Sequence, residues 1–380
     1  MSDTPSLPAY IPILLNPGLQ SFAIRETDHN IVCAVLGDLF DQCPDLHSLS
    51  VDAWNADSLA FIPRFKKLQQ LMTLDFRLSS PASTTIMSSL AMSPFLRQLA
   101  IHAPSSLAVI PRIPDVPTFP SLVYLSIDVI TDVLVVNALL RLVPAQSLAT
   151  LVISFEDPSE LSNTGHMKTL LNTISTFRRL KELKITQSSD TESSIPSWDL
   201  DPLLQLTSLE HLFINVPGYS LPRDFFRRRP DSPWPRLKDM GLQNPDMLPP
   251  IDILGDFAHY LPNLARLTMP FDAVDDPASP VPLGQSTAPV QLCVDGSPIL
   301  EPCCPTVAAY IALAYPNASL IYDDDYEGMD VEDERIDHAR CWNKVLEMFP
   351  VMVAVADAQR TLIRDGKVDM KPERLVSDEN

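Results

Sequence analysis

One spaced apolar triplet recurs along the whole chain and constrains its fold more than any other feature. The stretches "NPGLQSFAI", "CPDLHSLSV", "SPFLRQLAI", "FPSLVYLSI", "QSLATLVI", "RRLKELKI", "TSLEHLFI", "WPRLKDMGL" and "LPNLARLTM" all read L-x-x-L-x-L with conservative replacements. "LQQLMTLDF" joins them through Leu71, Leu74 and Phe76, while "PVQLCV" and "PNASLIY" keep the last two apolar positions. The central apolar residue of each unit is Phe22, Leu49, Leu74, Leu99, Leu125, Leu151, Leu183, Leu212, Met240, Leu267, Leu292 and Leu320. These lie about 27 residues apart on average, inside the period of leucine-rich repeats. Residues two apart on a strand share a face, so Leu125 and Ile127 belong to a core while Tyr124 and Ser126 point away from it.

The segments between the triplets carry helical periodicity. "DHNIVCAVLGDLFDQC" sets Ile31, Val35, Leu36, Leu39 and Phe40 on one stripe, and "TDVLVVNALLRL" and "IDILGDFAHYL" behave alike. Strand followed by return helix, repeated twelve times, predicts an α/β solenoid: a curved parallel sheet of about twelve short strands with helices on the convex side. Proline stands two residues before the first Leu in six units, at Pro17, Pro44, Pro94, Pro120, Pro235 and Pro262. It cannot continue a preceding helix and favours extended entry to the strand. The repeat is degenerate, because the bend position that holds Asn or Cys in regular repeats is never Asn here.

The expected organisation is a solenoid over 1–269, then a Pro-rich continuation over 270–325 with the last repeat-like strands. An acidic loop and C-terminal helices follow over 326–365, with a disordered tail over 366–380. "DERIDHARCWNKVLEMF" and "VMVAVADAQRTLIRD" form a helical pair broken at Pro350, which caps the C-terminal end.

Composition narrows function by exclusion. The ten glycines are never closer than twelve residues, which removes G-x-G-x-x-G and Walker loops, since both need several glycines in one turn. G-x-S-x-G and H-E-x-x-H are absent as well. A net charge of -20 opposes nucleic-acid and anionic-membrane surfaces. Six cysteines without a C-x-x-C pair, and no signal-peptide pattern, point to a reducing cytoplasmic or nuclear home. No catalytic set, cofactor or metal is expected.

Taken together, "YIPILLNPGLQSFAI" with "LFDQCPDLHSLSV", the P-x-L-x-x-L units and "VAAYIALAYPNASLI" make residues 8–325 resemble fungal F-box/leucine-rich-repeat-like proteins. The resemblance implies a non-enzymatic protein-interaction scaffold, the substrate-recognition part of a cullin-type ubiquitin ligase. In that family an F-box binds the Skp adaptor. The eighteen residues ahead of Leu19 are too few for an F-box, so it is expected to be absent from this chain. Skp is then a partner only if an F-box lies upstream of Met1.

Candidate contact positions follow from strand alternation. On the concave face these are Tyr124, Ser126, Glu182, Lys184, His211, Phe213, Asp239 and Arg266, with Thr150, Val152 and Thr268 beside them. Mixed charge and two aromatics suit a protein or peptide ligand. The basic run "RDFFRRRPDSPWPR" offers Arg227, Arg228 and Arg229 as a docking point for an acidic segment. An alternative is calcium regulation through "DDDYEGMDVEDE" at 323–334, where Asp323, Asp325, Glu327, Gly328 and Glu334 match EF-hand loop positions. A truncated F-box-like product without a retained partner is the other alternative. Cys303, Cys304, His338 and Cys341 lack tetrahedral spacing and are expected to be buried thiols and a lone imidazole.

Overall fold

A computed structural model describes residues 15–26, 28–51, 58, 60–73, 90–102, 119–130, 133–155, 164–187, 198–222, 225–227, 232–279, 281–322 and 333–364. It divides into two compact units, Met1–Phe225 with Asp231–Met247, and Phe226–Pro230 with Leu248–Asn380.

The first unit is an open parallel sheet with strands β1 (Ser21–Ile24), β2 (Ser48–Val51), β3 (Gln70–Thr73), β4 (Gln98–His102) and β5 (Tyr124–Ile130). It continues through β6 (Thr150–Phe155), β7 (Glu182–Gln187), β8 (Trp198–Asp199), β9 (His211–Ser220) and β10 (Asp239–Pro245). Each strand pairs with the next along the chain, except that β7 pairs directly with β9 and the short β8 pairs with the far end of β9. The sequence's central leucines fall in one register column: Phe22, Leu49, Leu71, Leu99, Leu125, Leu151, Leu183, Leu212 and Met240. All but Phe22 are buried.

The third unit is a correction. Leu71, not Leu74, stands in the central column, with Leu49 and Leu99 as neighbours. A 3-10 turn at Ile62–Arg64 leads towards this strand, and the strand arrives three residues early. Leu74 and Phe76 lie outside the described residues.

A repeated turn sets the entry to the strands. In Cys43-Pro44-Asp45-Leu46 the Leu46 amide donates to the Cys43 carbonyl at 3.2 Å. The same closure joins Phe65 to Leu68, Phe119 to Leu122, Phe177 to Leu180, Leu206 to Leu209 and Trp234 to Leu237. Proline occupies the second position in several of these turns, where its fixed φ suits the geometry and no amide donor is required. The first residue of each of these turns is buried together with the closing leucine, Trp234 and Phe177 being among the largest. Trp234 also donates its indole N–H to the Leu203 carbonyl at 2.9 Å.

Return segments cover the apolar side of the sheet. Helix α1 (His29–Gln42) starts at Asp28, whose carboxylate accepts from the Asn30 amide at 2.9 Å, a standard N-cap bond. It buries Val32, Val35, Leu36 and Leu39. The stripe is thus rotated from the expected one: Ile31 and Phe40 sit at its margin, with Phe40 edge-on to Phe65 at 5.8 Å. Helices α2 (Val133–Leu140) and α3 (Thr164–Ile174) pack side by side. Their buried Asn137 is satisfied because the Thr173 hydroxyl donates to its side-chain oxygen.

The second unit carries three parallel strands, β11 (Arg266–Thr268), β12 (Val290–Cys293) and β13 (Ala318–Ile321), with Leu267, Leu292 and Leu320 in register. Its helices are α4 (Ile253–Tyr260), α5 (Cys304–Ala314) and α6 (Asp333–Arg364). The expected helical pair is instead one continuous helix of 32 residues that runs through Pro350. An interior proline costs roughly 3 kcal/mol. Burial of Ala339, Cys341, Trp342, Val345 and Phe349 before it, and Ala356 after it, offsets that cost. Trp342 anchors the helix by donating its indole N–H to the Ser297 carbonyl at 2.8 Å and meeting Phe271 edge-on. No helix among the described residues is long and apolar enough to cross a membrane.

The leucine column predicts an asymmetric response to truncation. Leu151→Ala should cost about 2–5 kcal/mol by leaving a cavity behind the sheet. Ser126→Ala, on the opposite side, should change stability by no more than about 0.5 kcal/mol. Urea unfolding followed by circular dichroism checks both.

Candidate functional site

Register turns the outward residues of the first unit into continuous rows. One row runs Tyr124, Thr150, Glu182, His211 and Asp239 across β5, β6, β7, β9 and β10. Two residues along, the next runs Ser126, Val152, Lys184, Phe213 and Gly241. A third holds Ser154, Thr186, Asn215 and Gln243. Apart from Gly241 these side chains are half-buried or exposed, whereas the alternating column of Leu, Ile and Met is buried.

Seven of the eight contact positions read from the sequence therefore share one face of the first unit. Arg266 stands on β11 of the second unit, exposed, with its Nε donating to Gln291 Oε1 at 2.8 Å. Thr268 follows it on the same strand.

Within the first unit the contacts link one repeat to the next. His211 Nδ1 lies 2.6 Å from Asp239 Oδ2, with both side chains close to half exposed. Lys184 Nζ sits 5.5 Å from the centroid of the Phe213 ring, a cation–π contact. Phe213 owes its position to Gly241: a Cβ there would stand 2.4 Å from the ring's Cδ2. Thr186 donates to the Ser154 hydroxyl at 3.1 Å, and Asn244 Nδ2 donates to Asn215 Oδ1 at 2.7 Å. Asn244 adopts a positive φ of 59°, which asparagine tolerates better than most residues.

Just ahead of the strands stands a group that the sequence reading passed over. Glu210 is shared between Lys238 Nζ at 2.8 Å and Lys181 Nζ at 3.3 Å. The hydrogen bond from Lys238, then that from Lys181, holds its carboxyl down at about 2. The three residues occupy the same position in successive units, immediately before β7, β9 and β10. Their alternating sign at one repeat position was legible once the strands were aligned. Gly241 was also legible, as a glycine on an outward strand position, which marks close approach.

Of the basic run, Arg227 is engaged within its own unit. Arg227 donates from Nη2 to Asp256 Oδ1 at 3.0 Å and from Nε at 3.3 Å. Asp256 is buried, and this pairing raises the Arg227 guanidinium above its ordinary value. Arg227 thus neutralises an internal carboxylate of its own unit, since an unpaired buried charge is costly. Arg228 and Arg229 lie outside the described residues.

Among the described residues, no group of three or more His, Cys, Asp or Glu side chains is arranged to hold a metal ion. Asp323, Asp325, Glu327 and Gly328 lie outside the described residues, and Glu334 belongs to the first turn of α6. Two cysteines of the second unit face carbonyls. Cys303 Sγ donates to Val274 O at 3.0 Å, and Cys304 Sγ to Cys341 O at 3.6 Å. Burial, with the Cys341 thiol beside it, pushes Cys304 up to about 11. That keeps it a thiol rather than a nucleophilic thiolate at neutral pH. His338 Nδ1 lies against the Ile299 backbone, 2.8 Å from its carbonyl oxygen and 3.2 Å from its amide nitrogen. An open hollow of about 680 Å³ borders this helix beside Leu300 and Pro302. Its ionic groups are matched internally, Lys344 with Glu301 and Arg340 with Asp337.

Compared with known protein families and with curated protein sequences, the chain matches none.

Two predictions follow from this geometry. The low carboxyl value of Glu210 contributes stability that is complete above the unfolded value of 4.5 and is lost as pH falls from there towards about 2. The stability lead of wild type over Glu210→Gln should therefore close across that acid window, as followed by urea midpoints. Gly241→Ala should drive the Phe213 ring off Lys184. NMR would show this as loss of the ring-current shift on the Lys184 side-chain methylenes.

Proposed function

We propose that the chain is a non-enzymatic protein-interaction scaffold whose ligand lies across the outward rows of β5, β6, β7, β9 and β10. The observation that carries this reading is the in-register face itself. It alternates strictly with a buried leucine column, yet presents aromatic, hydroxyl and charged groups to solvent. Such a surface offers an array of small polar contacts around Phe213 and Tyr124, the pattern of an anchor-residue interface. The parallel one-strand-per-repeat arrangement supports a leucine-rich-repeat-like solenoid, an architecture in which the strand-lined face is the usual binding side. The sequence resemblance to fungal F-box/leucine-rich-repeat-like proteins extends the proposal to substrate recognition for a cullin-type ligase, in the cytoplasm or nucleus.

A paired affinity capture tests it. Tagged wild type and a Phe213→Glu variant, matched for circular dichroism and unfolding midpoint, are compared by mass spectrometry. Specific proteins lost from the Phe213→Glu capture, but retained by Met92→Ser on the surface before β4, support the face. Skp and cullin among the proteins retained by wild type support ligase membership. Identical captures from wild type and Phe213→Glu overturn the assignment of the face.

A further inference from the structure

The charge on this face is not spread evenly, and its distribution carries a statement about the ligand. Across β1 to β6 the outward strand positions are Ser, Ala, Gln, Met, His, Tyr, Thr and Val, with Asp128 the one carboxylate among those described. On the strands themselves basic charge first appears on β7, although the turns before β3 and β4 carry Lys66, Lys67 and Arg97. Arg178, Arg179 and Lys181 precede β7, Lys184 lies on it, and Arg236 and Lys238 precede β10. All six are exposed. The acids among them are Glu182, Glu210 and Asp239, leaving a surplus of three positive charges in a chain whose net charge is -20.

The cations are held in ways that leave charge available. Arg178 is fixed by neutral acceptors, its guanidinium donating to the Gln205 carbonyl and to Gln205 Oε1, both at 2.8 Å. Lys184 rests on the Phe213 ring, and Arg179, Lys184 and Arg236 form no ion pair among the described residues. Lys181 and Lys238 share a single carboxylate, so two ammonium groups face one Glu210. The strands β7, β9 and β10 are neighbours about 4.8 Å apart, and Lys181 to Lys184 spans about 10 Å along β7. The patch is therefore about 10 Å in each direction, the reach of three or four residues of extended chain.

We propose that this patch receives an acidic, extended protein segment, with its carboxylate or phosphoryl groups on the Lys181, Lys184 and Lys238 ammoniums and one apolar side chain against Phe213. The inference rests on the scaffold reading and deepens it by naming the ligand's chemistry. Nucleic acid has the same sign of charge but is disfavoured by range. A short peptide senses only charges within a Debye length, about 8 Å at physiological salt. A longer polyanion meets the strongly negative remainder of the chain.

Fluorescence anisotropy of the full chain tests this with a fluorescein-labelled glutamate-rich peptide carrying one central leucine. Its phosphoserine counterpart, a lysine counterpart and an oligothymidylate of equal charge complete the set. The glutamate or phosphoserine peptide should bind, and weaken on raising salt. Lys184→Glu should weaken it about tenfold or more, while Arg141→Glu, exposed just after α2, should leave it unchanged. Tighter binding of the phosphoserine peptide identifies a phosphorylated source, and equal binding an acidic one. Equal binding of the lysine peptide or the oligothymidylate, or indifference to Lys184→Glu, overturns the proposal. If no acidic peptide binds while Phe213→Glu still strips proteins from the capture, the acidic ligand is wrong and the face stands. If both experiments are negative, both readings fall.

Discussion

The structure depends on a backbone bond repeated at every step of the first unit. The carbonyl just before each strand accepts two amides from the next repeat: Gln20 from His47 and Ser48, His47 from Gln69 and Gln70, and so on to Glu210 from Lys238 and Asp239. This uses both lone pairs of one oxygen and leaves no freedom in how far each strand starts along its neighbour. Strand side chains alternate with a period of two, so a slip of one residue would turn the leucine column outward. The doubled bond and the buried leucines thus enforce each other. The outward rows are their by-product, aligned because the inner column is.

How much of this was legible in sequence depends on which interactions are local. The leucine period and the strand alternation are local, so Leu125, Leu151, Leu183 and Leu212 could be placed in the core and Tyr124, Glu182, His211 and Phe213 outside it. The turn was half legible. Proline before the first leucine was visible, but the buried residue that opens the turn varies among Cys43, Phe65, Phe177, Leu206 and Trp234 and so hides from a search for one letter.

The failures share a cause: each was decided by a tertiary partner. The third strand was misframed because a leucine-rich stretch offers two registers, and only the neighbouring strands choose between them. Local propensity alone makes Pro350 a helix end, whereas packing of Trp342 and Phe349 keeps α6 intact. The ion pair of Arg227 is equally hidden from sequence, because Asp256, its buried partner, is 29 residues away. In each case a residue's chemistry was read correctly and its partner was invisible.

That separation in sequence is also what builds the face. Lys238 and Glu210 are 28 residues apart, His211 and Asp239 are 28 apart, and Asn215 and Asn244 are 29 apart. Each pair is one repeat apart in sequence and one strand apart in space. Charge placed at a given repeat position therefore meets the same position of its neighbours, and a change in one repeat alters a pair rather than a lone site. Glu210 shows the consequence. A carboxylate between two lysines fixes both stems in place, yet each ammonium has three donors and spends one on it. The remaining donors are oriented before any ligand arrives, so an incoming anion meets less of the entropy cost of ordering long side chains. The pairing that trims the patch's net charge is the same pairing that prepares it to bind.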